Sequence, residues 1–413
     1  MLMVADLEGG NERELSRRAP PLEYHRNPVW SPDGQVVVVS ATEVGHKDYH
    51  LVEVPAEGGN ERIITSRAWD HIENLAWLPD GSGLIIQAIE KVPNAHFQIW
   101  EVPYPEGPPR RITNDFYNYS GVSLTADGKT LVTQLMENDN TLWITSTEKN
   151  LDPVQISAGG ADKSVSGISW TRDGRVVFGA TSVEGEDLWI SGMGGGSPTQ
   201  LTQGGISSYP SVSPGSQYIV FRSTSSLKPH IWRIDIDGGN PVQLTFGNGE
   251  YHPQCHPDGL SVFYLEESSR GFTLFKVPLL GGEPVLVSES TLASRPPAIS
   301  PDGQKVGVKS YDQSSNKWRI EIIQLDEGGI ARTFDLDESF FQWSPSGDAL
   351  DYAVSEGGIG NIWSQPLNDD PPVQLTYFKT EWIPYFSWAP DGKTLAVAKF
   401  NTKWDVVLLK NFR

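Results

Sequence analysis

Apolar residues in this chain come in short bursts separated by turn-forming residues. Between Tyr24 and Thr65 there are four: Asn27-Pro28-Val29-Trp30, Gln35-Val36-Val37-Val38-Val39-Ser40, Leu51-Val52-Glu53-Val54 and Arg62-Ile63-Ile64-Thr65. Each is too short for an ordinary helix and is rich in β-branched or aromatic residues, so each predicts a strand. The first two are joined by Ser31-Pro32-Asp33-Gly34. Proline presets φ there, aspartate bonds its own backbone and glycine takes the positive-φ position, which makes a tight turn. Glu57-Gly58-Gly59-Asn60 supplies a second turn before the fourth strand.

The whole phrase recurs. Its turn position falls at Gly34, Gly81, Gly128, Gly174, Ser216, Gly259, Gly303, Gly347 and Gly392. Two copies are altered, Ser213-Pro214-Gly215-Ser216 and Ser344-Pro345-Ser346-Gly347, and both remain turn-forming. Trp100, Trp143, Trp189, Trp232, Phe275 and Trp363 mark the third strands, and Trp30, Trp77, Trp170, Trp343 and Trp388 close first strands. Fourth strands end in an apolar residue and a hydroxyl: Ile112-Thr113, Ile156-Ser157, Leu201-Thr202, Leu244-Thr245, Leu375-Thr376. A period of about 40–50 residues built from strands and turns predicts a β-propeller with one four-stranded antiparallel blade per repeat. The expected fold is all-β: residues 1–413 as one propeller domain of nine blades, with two rings, such as six plus three or five plus four, as the competing arrangement that the unbroken period and the absence of a linker disfavour. The tryptophans are expected in the core between blades, not on a stacking platform. The chain ends in a first, second and third strand and begins with a third and a fourth, so the N-terminal strand is expected to complete the last blade and close the ring. One third strand, residues 2–7 or 406–409, is then left without a place.

Ser-Pro-Asp-Gly, an apolar run, Ile-Trp, Asp-Gly-Gly and Leu-Thr together resemble the TolB-like propeller repeat. The copy with Ser213, Ile231-Trp232, Asp237-Gly238-Gly239 and Leu244-Thr245 is similar to it throughout. The resemblance implies a binding propeller that takes a protein segment or small ligand, in a periplasmic or extracytoplasmic setting. Similar repeats occur in sensor regions of bacterial Ser/Thr kinases and ahead of the hydrolase domain in prolyl-oligopeptidase relatives. The family habit is six blades, and nine repeats depart from it.

Composition narrows the partners. A net charge of −20 with no run of basic residues argues against nucleic acid and anionic membrane. Cys255 is the only cysteine, so no intrachain disulfide forms. No apolar run reaches the ~18–20 residues of a spanning helix. Met1-Leu2-Met3-Val4-Ala5-Asp6 lacks the basic region and apolar core of a secretory signal. The chain opens in mid-repeat, which would suit the sensor region of a larger receptor. A monomer with a protein or peptide partner is expected.

No catalytic motif stands out. There is no Gly-x-Ser-x-Gly elbow, His-Glu-x-x-His or Walker loop. Cys255 occupies a first-strand tryptophan slot and reads as a core thiol. His252 and His256 flank a strand and lie about 13 Å apart by strand rise, too far to share an ion. Asn368-Asp369-Asp370 reads as a solvated turn. No cofactor and no metal are expected. What the repeat does not explain is the loop just before each first strand, which a propeller turns toward its central channel. That register gives His25, Arg26, His71, Glu73, Tyr119, Glu250, Tyr251, His252, Arg295, Asp337, Glu338, Trp382 and Tyr385 as candidates for a channel-mouth binding face. An enzymatic alternative, a carbohydrate lyase or hydrolase, would use Glu73, Glu250, Asp337 and Glu338 from the same face.

Overall fold

The computed structural model describes residues 1–413 except 26, 44–47, 66, 93–94, 116, 148–152, 157–164, 183–184, 205, 227, 327, 337–339, 369 and 413. Arg26, Ser157, Asp337, Glu338 and Asp369 therefore lie outside the described residues. Among the described residues every regular element is a strand, and no helix is long and apolar enough to cross a membrane.

The repeat folds as its chemistry dictates. In the first copy Ser31 donates its hydroxyl to Asp33 Oδ1 at 2.6 Å, and Asp33 also accepts from the Gln35 amide at 3.0 Å. Gly34 takes φ 71° and, in the altered copy, Ser216 takes φ 53°. Second strands are sandwiched between neighbouring strands and sheets, so Val36–Glu43 is buried nearly end to end. The terminal hydroxyl of the fourth strand ties that strand to its neighbour. Thr113, Thr202, Thr245 and Thr376 accept the third-strand amides of Ile99, Leu188, Ile231 and Ile362 at 2.8–3.0 Å.

The sheets fall into two compact units, Met1–Glu137 with Thr402–Arg413, and Asn138–Asn401. In the larger unit, repeats four to eight form one sheet each, with the sheets of repeats six and seven joined at Leu292 and Ser310. A sixth sheet carries Trp382–Trp388 and the first half of Thr394–Lys410 from repeat nine. A buried apolar cluster fills every joint. Val177 and Leu188 meet Phe221, Val220 meets Val262, and Phe263 meets Val306. Ile320 meets Trp343, Ile362 meets Phe386, and Ala396 and Ala398 meet Trp170 and Phe178. The sixth sheet thus packs on the first of this unit, and six sheets close a circuit.

The sixth sheet is completed by residues 138–146 and Val154–Ile156, which the repeat pattern assigns to repeat three. Residues 130–137 of the same long strand, Thr130–Ser146, belong to the smaller unit, where residues 402–410 lie in the strand that pairs with them. Thr147 donates to the Lys393 carbonyl at one end and Asn411 to the Lys129 carbonyl at the other, so the two long strands run antiparallel. The expected closure by the N-terminal strand is thus not what the strands do. Leu2–Val4 pairs with Arg13–Ser16 as a separate two-stranded sheet, and the last repeat takes its partner from repeat three. Nine blades in one circuit are not confirmed; the repeats divide three and six. The strand that the sequence left without a place, residues 406–409, is a third strand for repeat three.

The smaller unit stacks the sheets of repeats one, two and three. Val38 and Leu51 pack against Trp69 and Ile86, and Leu78 and Ile99 against Tyr119, Leu131 and Leu409. Leu2 and Leu15 of the N-terminal pair cover Val37 and Val54 of the first sheet. One tryptophan departs from the expected core role. In three other copies the slot indole donates to a first strand of the adjoining sheet, Trp77 to Val29 O at 3.4 Å, Trp170 to Ser387 O at 3.0 Å and Trp343 to Ala298 O at 2.8 Å, while Trp388 donates to Asp351 Oδ2 of a second strand at 2.7 Å. Trp30 is instead 48% exposed.

Candidate functional site

A single register position builds the centre of the larger unit. Seven residues before each turn position stand Gly167, Tyr209, His252, Pro296, Phe340 and Tyr385. The first strand bulges just there in several copies, with register shifts at Ser208/Ser211, Tyr251/Gln254 and Trp382/Tyr385. A bulge leaves one residue out of the ladder and re-aims its side chain. Tyr209 and His252 do this at φ 54° and 55°, a left-handed conformation that costs a side-chain-bearing residue about 1 kcal/mol or more.

Tyr209, His252, Pro296, Phe340 and Tyr385 form a collar shared by two hollows. One, of about 380 Å³, extends past Ser169, Gln254 and Trp343 toward the turns. The other, of about 240 Å³ and termed the mouth below, is where Arg222, Tyr251, Ser294, Arg295 and Trp382 join the collar. Arg222 lies over the Tyr209 ring at 5.0 Å and the Tyr251 ring at 5.7 Å, with Glu186 Oε2 at 3.7 Å. Its Nε is buried and has no hydrogen-bond partner among the described residues. Burial pushes the Glu186 carboxyl above its usual range, against the pull of Ser166 and Arg222.

His252 sits edge-on to Tyr209 at 4.6 Å, with Nε2 3.2 Å from Ser294 Oγ. Its Nδ1 is buried without a partner among the described residues. Burial, then Arg222 and Arg295, hold its pKa down at about 3, so the ring is a neutral hydrogen-bonding group. The hydroxyls of Tyr209 and Tyr385 are 3.4 Å apart, and burial raises the Tyr385 phenol well above its ordinary value. The mouth thus combines two guanidiniums, phenols, a neutral imidazole and the half-exposed Trp382.

A second group lies in the smaller unit. His71 and Glu73 stand two apart in the strand His71–Trp77, on one side of it, with Nε2 to Oε1 at 2.9 Å. His25, from the preceding repeat, packs edge-on against His71 at 4.9 Å. Tyr49 and Phe97 wall the pair.

Residues 162–327 match a family described as the TolB beta propeller domain. That stretch carries TolB-like propeller repeats. Among curated proteins none matches the chain in sequence. Solved structures similar to it include TolB from Acinetobacter baumannii, 13% identical over 89% of this chain and 79% of that one, with a TM-score of 0.43. An oligogalacturonate lyase in complex with manganese is 12% identical over 89% and 96%, with a TM-score of 0.36. A structure from a study of two prolyl endopeptidases is 12% identical over 92% and 50%, with a TM-score of 0.35.

The candidates read from the propeller register separate into distinct fates. Tyr251, His252, Arg295, Trp382 and Tyr385 come together at the mouth of the larger unit. His25, His71 and Glu73 come together in the smaller one. Glu250 is fully buried, accepting from Thr245 at 2.8 Å with His230 Nδ1 at 2.5 Å, and so braces a strand end. Tyr119 is buried and donates to Asp115 at 2.6 Å. Arg26 and Glu338 lie outside the described residues. Cys255 sits against Ser211, the cross-repeat position the slot indoles use, and burial pushes its thiol up to about 12. His256 contacts Gly303 O and Asp258 across its turn.

Sequence reasoning passed over Tyr209, Phe340, Arg222 and Ser294. Tyr209 and Phe340 share the register of His252 and Tyr385, so the spacing held a signal for them. Arg222 comes from the end of the second strand Tyr218–Ser223, where no register rule points.

Proposed function

We propose that the larger unit is a non-enzymatic binding scaffold whose mouth takes a carboxylate-bearing protein segment or small ligand. The observation that carries this is Arg222: a guanidinium held between two tyrosine rings beside a hollow, with a buried N–H left without an acceptor among the described residues. A buried unpaired donor costs about 1–3 kcal/mol, and an arriving carboxylate removes that cost. His252 Nδ1 offers a second unmet position, and Trp382 a flat apolar rim. The neutral state of His252 supports binding over proton transfer, since a general base works best with a pKa near the working pH.

The test is fluorescence anisotropy with a labelled glutamate-rich hexapeptide and its glutamine analogue. The glutamate peptide should bind more tightly, and Arg222→Ala should weaken it by roughly 10- to 100-fold, the loss of one charge-assisted contact. Equal binding of both peptides, or an unchanged affinity in Arg222→Ala, would defeat the reading.

A further inference from the structure

His25, His71 and Glu73 are half-buried, and one ligand atom from each lies within 4.8 Å of the other two. We propose that this trio is a binding site for a divalent transition-metal ion of the zinc class. Two imidazoles and one carboxylate are the donor set that borderline ions prefer over calcium or magnesium, which favour all-oxygen shells. Around a tetrahedral ion with bonds of about 2.0–2.1 Å, ligand atoms sit ~3.3 Å apart. The His71–Glu73 separation of 2.9 Å is already close to that edge. Only His25 must close in, by a shift of an ångström or two.

The backbone holds the three in place. Glu73 is the residue at which the ladder slips between Ile72 and Asn74, so His71 is paired in the sheet and Glu73 is swung out of it. The His25 amide donates to the Ser40 carbonyl at 2.8 Å, which fixes the loop that carries it. Asn27, at φ 54°, donates its side-chain amide to the Glu73 carbonyl at 2.9 Å and so ties the two repeats together beside the site. His25 and His71 stand nine and ten residues before their turn positions Gly34 and Gly81, one residue out of register, and the loop that carries His25 brings its ring edge-on to His71 at 4.9 Å. Three protein ligands leave a coordination position for water, as in open zinc sites. An ordinary His–Glu ion pair would explain two of these residues. It does not explain a second imidazole brought edge-on to the first.

The full chain, freed of metal with a chelator, is titrated with Zn²⁺ by calorimetry and with Co²⁺ by visible absorption. One equivalent should bind, with a cobalt spectrum of nitrogen and oxygen ligation. His25→Ala, His71→Ala and Glu73→Gln should each weaken binding by at least about tenfold and change that spectrum. Circular dichroism shows whether a histidine variant keeps its sheets; if it does not, the isosteric Glu73→Gln carries the test. The proposal is overturned if the chain binds neither ion, if binding survives in the His25→Ala/His71→Ala double variant, or if Glu73→Gln leaves affinity and spectrum unchanged.

Discussion

Trp170 and Trp30 occupy the same slot of the same repeat and meet opposite fates. Trp170 is buried at the joint where the sixth sheet of the larger unit meets the first, its indole bonded to Ser387. Trp30 stands at the start of a stack of three sheets and is half exposed. The difference teaches what a repeat can and cannot decide. Each copy specifies a sheet with two apolar faces. Whether both faces are covered depends on whether the row of sheets returns to its beginning.

Several changes would break or sharpen that contrast. The largest effect is expected from ending the chain after Asn401. This removes the strand partner of residues 130–137 together with Leu409 and Phe412, which pack on Leu78, Ile85 and Tyr119. The smaller unit should lose its cooperative unfolding transition in calorimetry while the larger keeps its own. Two unchanged transitions would show that residues 402–413 contribute nothing to either.

Next is Trp170→Ala, which should cost the larger unit about 3–5 kcal/mol in denaturant unfolding, through the cavity left at the closing joint. A cost below about 1 kcal/mol would mean that this joint does not hold the ring together.

Asp351 supplies a pH test of a neighbouring joint. It is buried, accepts from Trp388 Nε1 at 2.7 Å, and burial raises its pKa from 3.8 to about 6. A folded pKa above the unfolded one means that its contribution is complete below about pH 4 and is lost as pH rises through 6. The loss is on the order of 3 kcal/mol. Asp351→Asn should flatten stability between pH 4 and 7. The turn carboxylates run the other way: hydroxyl and amide donors lower Asp33 and Asp302, so their contribution is lost only as pH falls below about 4. A slope that persists in Asp351→Asn would point to another group. The smallest effect is expected from Trp30→Ala, within about 1 kcal/mol, because that indole is half exposed.

The blade was legible because its chemistry is local. A tight turn, a β-branched run and a capping hydroxyl each act within about fifteen residues, and Ser31, Val38 and Thr245 fill the roles their types imply. Closure was not legible, because it depends on which of several interchangeable strands pairs with which. Residues 138–146 suit repeat three or repeat nine equally well by pattern; only the assembled sheet distinguishes them. The site was half legible for the same reason. Register marked His252 and Tyr385, which hold one position in different repeats, and it marked the segments before the first strands that carry His25 and His71. It could not mark Arg222, which reaches the mouth from the far end of another strand. It also could not tell Glu250, drawn inward by His230 and Thr245, from a carboxylate facing solvent.

The exchange between Thr130–Ser146 and Thr394–Lys410 also sets an order in time. A ribosome releases residues 130–137 long before their partner in 402–410 exists, so the third sheet of the smaller unit waits until those residues are made. Residues 138–146 wait almost as long for 394–401. Such pairings between distant segments are slow to form. Every nascent chain therefore holds two unpaired strand edges until residues 394–410 emerge, and a chaperone that shields such edges would act on this protein in that interval.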